Sequence, residues 1–187
     1  MPEHFVFNVS SEIPLEFQIA QPIYGFTNYL FRTDTSQKNT NEETGKCFAV
    51  FPECEDIIKL TNDLKTRKRI NKDFQERLKE LCREYNIEQI TSPQLYKHIR
   101  TFITYVDFDD GTPVLGLDEN DELLITEAML GIMAEIGKYE KTIPLCCVCH
   151  LDQGAVHFHT MYYIKPKVRS VKNIFDILKN FNGCKIS

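Results

Sequence analysis

Three of the chain's five histidines fall in one stretch, Cys149-His150-Leu151-Asp152-Gln153-Gly154-Ala155-Val156-His157-Phe158-His159, and few local structures suit that spacing. The apolar runs on either side predict paired strands over 145–151 and 156–164, joined by the turn Asp152-Gln153-Gly154-Ala155. Side chains alternate along a strand, so His157 and His159 share one face of the sheet. His150, on the facing strand, completes a facial set of three. Imidazoles ligate Mn, Zn, Ni or Co through one ring nitrogen, and three of them leave coordination positions open for water or a substrate oxygen. That suits a catalytic ion better than a structural one.

At 187 residues with 42% apolar content, the chain has material for one large domain or two small ones with a true core. No apolar run reaches membrane-spanning length, and no basic-then-apolar leader opens the sequence, so an intracellular protein is expected. Seven cysteines without framework spacing read as reduced thiols, most of them small core residues. A net charge of −5 opposes indiscriminate nucleic-acid binding, but its distribution is uneven. Beyond the histidines, Lys165, Lys167, Arg169, Lys172, Lys179 and Lys185 face Asp176 alone, so the chain is locally basic beside them. The cluster Lys65, Arg67, Lys68, Arg69 and Lys72 reads as a solvated helix face.

The first fifty residues look strand-bearing, with alternation at Phe5, Phe7 and Val9 and apolar runs over 15–20, 24–31 and 47–51, followed or interrupted by a polar loop over 33–46. Apolar spacings of three and four from Ile57 to Tyr85 predict one long amphipathic helix, or two joined near Thr66. Ser92-Pro93 opens a short helix. A strand over 101–108 ends at Asp110-Gly111-Thr112-Pro113, and Thr126 is the expected cap of a helix carrying Met129, Ile132, Met133 and Ile136. The histidine hairpin comes next, then a helix over 171–181 and a short strand at Cys184-Lys185-Ile186. The fold class expected is therefore α+β: an antiparallel sheet with a βαββαβ core over 100–187, helices on one face, and a region over 1–99 of strands and a long helix, without an assigned role, that could share the sheet.

Phe102-Ile103-Thr104-Tyr105 on the first core strand, with His150 and His157-Phe158-His159 on the next two, resembles the first two motifs of the HUH endonuclease superfamily, the rolling-circle and rolling-hairpin replication initiators of viruses and plasmids. The resemblance covers 100–187. It implies that His157 and His159 are the paired ligands and His150 the third, holding Mn or Mg, or else Zn, Ni or Co. The implied activity is nicking and joining of single-stranded origin or hairpin DNA through a tyrosine–DNA intermediate, in the cytoplasm or, if viral, the host nucleus, with Lys165, Lys167, Arg169 and Lys172 as candidate DNA contacts and Phe158, Tyr162 and Tyr163 available for base stacking. The family's Tyr-x-x-Lys motif does not follow His159. The resemblance then implies a truncated domain, an order permuted as in relaxases, or a domain that does not cleave. Permutation makes Tyr24, Tyr29 and Tyr96 the candidate nucleophiles, Tyr96 first because its helix leads into the first core strand. Val156 stands where many relatives have proline.

Three other readings compete. The same fold could serve as a non-catalytic DNA-binding or interaction module. Cys146 and Cys149 with His157 and His159 would make a closed zinc site, but alternation puts those two cysteines on opposite faces. Asp107 and Asp109 resemble the carboxylate pair of archaeo-eukaryotic primases, against the plainer reading of an acidic strand end entering a turn.

Overall fold

The computed structural model describes residues 5–10, 12–18, 23–33, 47–52, 58–60, 63–152, 154–166 and 184–186. Among them, one sheet unites both halves of the chain. Its strands are β1 (Phe5–Val9), β2 (Ile13–Pro14), β3 (Cys47–Val50), β4 (Ile58–Leu60), β5 (Ile99–Phe108), β6 (Thr142–His150), β7 (His157–Ile164) and β8 (Cys184–Ile186). They run in the order β4-β3-β6-β7-β5-β1-β8, with β2 beside β1 along the same edge of β5. Every pairing is antiparallel except that of β1 with β8. The class is α+β, as the sequence predicts. In the split βαβ arrangement the last core strand would lie against the first; here β1 is inserted between β5 and β8.

The helices are α1 (Leu15–Gln18), α2 (Ile23–Leu30), α3 (Leu64–Glu84), α4 (Pro93–His98) and α5 (Glu119–Gly137). Helix α5, the crossover from β5 to β6, sets Ile125, Met129, Ile132, Met133 and Ile136 against Phe102, Val106, Cys147, Cys149, Phe158 and Tyr162 on one face of the sheet. The opposite face, carrying Ile99, Cys146, Val148, Met161 and Tyr163, packs against α2, α3 and α4 through Ile23, Leu30, Phe74, Leu78 and Leu95. Strand β6 is therefore covered on both sides, which is why Leu145 to Cys149 is an unbroken apolar run rather than an alternating one. Among the described residues, no helix is long and apolar enough to cross a membrane.

Four local expectations change. The apolar runs over 15–20 and 24–31 are helical where described, not extended: Leu15–Gln18 is α1, and Ile23, Thr27 and Leu30, spaced by four and three residues, form the buried stripe of α2. The long helix starts only at Leu64, because the Asp63 carboxylate caps it by accepting from the Lys65 N–H at 3.1 Å, and 58–60 is strand β4. Thr126 is not a cap. Asp118 and Asp121 form a reciprocal capping box at the start of α5, and the Thr126 hydroxyl donates to the Glu122 carbonyl one turn back, at 2.7 Å. Phe158, Tyr162 and Tyr163, offered as stacking residues, are at most 1% exposed, because helices cover both faces of β7. All but Thr33 of the polar loop expected over 33–46, and the helix expected over 171–181, lie outside the described residues.

The hairpin turn between β6 and β7 requires a left-handed residue, and Gly154 supplies it with φ +83°. A Cβ there would meet nothing within 4 Å, so the cost of adding one is purely conformational. Gly154→Ala is expected to destabilise the fold by about 1 kcal/mol, seen as a lower denaturant midpoint with an unchanged slope.

A candidate three-histidine metal centre

The hairpin brings the three histidines together as alternation requires. His150 ends β6 directly opposite His157 at the start of β7, and His159 lies opposite Val148, all on the face turned toward α2. Ring centroids are 5.4 Å apart for His150 and His157, 4.8 Å for His150 and His159, and 5.2 Å for His157 and His159. Their candidate ligand atoms all lie within 4.8 Å of one another, the one such set of His, Cys, Asp or Glu groups found among the described residues. Donors of a tetrahedral ion with bonds of about 2.0–2.1 Å stand about 3.3 Å apart, a contraction within reach of small side-chain rotations.

Hydrogen bonding selects which nitrogen each ring offers. A carbonyl only accepts, so His150 Nε2–H donates to the Leu30 carbonyl at 2.9 Å and leaves Nδ1 as a bare lone pair. His157 Nδ1–H donates to the Ala155 carbonyl at 2.9 Å and leaves Nε2 free to ligate. His150 Nδ1 and His159 Nε2 are both buried without a hydrogen-bond partner. An orphaned buried polar atom costs about 1–3 kcal/mol, and two of them within one three-histidine cluster make a donor set that a divalent cation would fit. Donation of the second ring nitrogen to a carbonyl is also how metal-bound imidazoles are oriented.

The electrostatics agree. Burial, with the neighbouring His159 and Arg32, holds His150 well below the ordinary imidazole range. Burial likewise lowers His157, and burial with the neighbouring His157 and Arg32 brings His159 down to about 3. All three are neutral at pH 7, the state in which imidazole ligates. The linked stability has a definite sign. Between the unfolded value near 6.5 and the folded value of about 3, the unfolded chain takes up a proton at His159 that the folded chain refuses. Stability is thus fully present above the unfolded value and is lost as pH falls. His159 alone should contribute a slope of about 1.4 kcal/mol per pH unit across that window, measurable by urea unfolding of metal-free protein and absent in His159→Gln.

Helix α2 roofs the cluster. The Tyr29 ring stands edge-on to His150 at 5.4 Å and to His159 at 5.7 Å, while Leu30 supplies the carbonyl already described. At the rim, Tyr105 of β5 pairs across the sheet with His157, lies 5.7 Å from it and is 43% exposed. The residues singled out from sequence divide accordingly. Tyr29 meets the histidines. Tyr96, placed first among the tyrosines, is buried, and its hydroxyl accepts the Ile23 N–H at 3.0 Å, so it is a core residue that anchors the start of α2. Tyr24 is exposed on α2. Lys165 follows the far end of β7, about 20 Å from His159 at strand rise, and Lys167, Arg169 and Lys172 lie outside the described residues. Asp107 accepts a hydrogen bond from the Asn8 side chain, and Asp109 is exposed on the turn after β5. Cys146 and Cys149 face opposite layers, as alternation predicts. Cys47, on the triad's face, is pushed up to about 11 by burial and is a neutral thiol.

Two residues near the site were not legible in advance. Arg32, just past α2, forms a buried ion pair with Asp152 in the hairpin turn, Nε lying 2.8 Å from Oδ2. The one hint in the sequence is Asp152 beside the histidines; nothing marks Arg32 as its partner. No family model matches the chain, and no curated protein or solved structure matches it.

Proposed function

We propose that the protein nicks and rejoins single-stranded DNA at a metal centre held by His150 Nδ1, His157 Nε2 and His159 Nε2, with Tyr29 as the attacking group. The observation that carries the reading is a tyrosine lying edge-on against two of three neutral imidazoles whose ligand atoms cluster within 4.8 Å of one another. A divalent ion, when bound, would polarise a scissile phosphate and offset the charge that builds on its oxygens. The chain's own part is to orient and attack. Tyr29 Oη forms a bond to phosphorus, the bond from phosphorus to the 3′-oxygen breaks, and the phenol's proton is balanced by the one the leaving 3′-hydroxyl takes up. Rejoining runs the same exchange backward. The exposed ring of Tyr105, beside His157, is placed to stack a base next to the phosphate.

An all-imidazole donor set favours Zn, Co, Ni or Mn over Mg, which prefers oxygen ligands and keeps its waters. A second reading has one observation in its favour: His150 is fully buried and His157 and His159 are only 7% and 5% exposed, which suits a structural ion in a DNA-binding module that leaves DNA intact. Incubating the protein with Mn and a randomised pool of labelled single strands separates the two. A protein–DNA adduct that survives denaturation supports the nickase; a bound ion with retained DNA and no adduct supports the module.

A further inference from the structure

Helix α2 ends on a left-handed residue that is not glycine. Thr33 N–H donates to the Asn28 carbonyl at 3.0 Å and Arg32 N–H to the Tyr29 carbonyl at 3.4 Å, the paired bonds of a helix terminus whose C′ residue takes positive φ. That residue is Arg32, with φ 54°, a conformation that L side chains resist and glycine adopts freely. An arginine held there against the backbone's preference points to work done by its side chain.

The side chain joins three parts of the metal centre. Nη2 donates to Asp152 Oδ1 at 2.9 Å; Nε lies 2.8 Å from Oδ2, an ion-pair approach without hydrogen-bond geometry, and the two side chains are only 10% and 5% exposed. Nη1 donates to the Tyr29 carbonyl at 3.0 Å, and the guanidinium carbon sits 4.7 Å from the centre of the Tyr29 ring. Asp152 belongs to the hairpin turn just after His150, whereas Tyr29 and Leu30 belong to the helix turn just before Arg32. One planar cation thus ties the helix end that bears the Tyr29 ring and the Leu30 carbonyl to the strand end that bears His150. Lysine has the charge but neither the fork nor the flat face this arrangement uses.

We propose that Arg32 is a positioning residue of the metal centre: its fork on Asp152 holds α2 over the triad, keeping Tyr29 edge-on to His150 and His159 and the Leu30 carbonyl on His150 Nε2. This rests on the reading given above, its cleavage arm on the nickase and its ion arm on the three-histidine centre; a wild type that binds no Co²⁺ would overturn it together with that centre.

The test uses Arg32→Lys and the double variant Arg32→Gly with Asp152→Asn, which relieves the backbone and leaves no unpaired buried charge. Each is titrated with Co²⁺, whose visible bands report ligand geometry, and each is assayed for adduct formation on single-stranded DNA with Mn. Both variants are expected to melt cooperatively, to bind Co²⁺ about 10–100-fold more weakly with altered band positions, and to form adduct about 100-fold more slowly. Folded variants with wild-type Co²⁺ affinity and spectrum would overturn the proposal. If the double variant does not fold, Arg32→Lys decides on the same readouts, and failure of both to fold would also overturn it, making the pair an element of fold stability. Weakened Co²⁺ binding with no adduct even from the wild type would leave Arg32 in its role and remove the nickase; undiminished adduct from both variants would do the reverse.

Discussion

Tyr29→Phe should abolish the covalent protein–DNA adduct, a loss of at least about 10³-fold in cleavage rate, while Co²⁺ affinity changes less than about threefold. The ring that packs edge-on against His150 and His159 is preserved by phenylalanine, so the hydroxyl is the only group removed. Tyr96→Phe is the matched control. Its hydroxyl accepts the Ile23 N–H in the core, so that variant should lose about 1 kcal/mol of stability and keep its adduct. Electrophoresis of denatured mixtures reads the first effect and thermal melting the second. Adduct surviving in Tyr29→Phe and vanishing in Tyr96→Phe would return the nucleophile to the helix that leads into β5.

His159→Ala should lower metal affinity by at least about 100-fold, because one of three ligands is lost and the remaining pair no longer surrounds the ion. The apo protein should tolerate the change better than a buried polar substitution usually allows, since the Nε2 atom removed has no partner to leave behind. The contrast is clearest in melting curves. An ion at 100 times its dissociation constant adds about 2.7 kcal/mol to the wild type, and the variant at the same concentration should gain almost nothing. Equal stabilisation of both proteins by Zn²⁺ or Co²⁺ would place the ion elsewhere. Because the lowered proton affinities already keep the rings neutral, wild-type binding should stay nearly flat from pH 8 down to pH 6, where an exposed histidine site begins to lose metal to protons.

The histidine constellation was readable from sequence because a hairpin is local: a turn with glycine at its left-handed position and a two-residue period place His150, His157 and His159 on one face without reference to the rest of the chain. The same reasoning correctly separated Cys146 from Cys149. Helix starts were less secure. Thr126 lies at a sound spacing ahead of Met129 and Ile132, yet Asp118 caps α5, since a threonine can satisfy its hydroxyl inside a helix as well as at its start. Phe158, Tyr162 and Tyr163 looked available to a ligand because sequence shows that a strand alternates, not whether the second face is covered.

Which tyrosine meets the histidines lay wholly beyond the sequence. Tyr29 and Tyr96 stand on helices that each could have roofed the triad, and the decision rests on which helix end docks there, set by side-chain packing between segments more than a hundred residues apart. The Leu30 carbonyl on His150 and the Arg32 fork on Asp152 both span 120 positions. Alternation and turn chemistry determine what neighbours in sequence do, and so they determined three imidazoles on one sheet face. Tertiary packing alone decided what covers them, because helix docking depends on the shape of two surfaces that no single segment encodes.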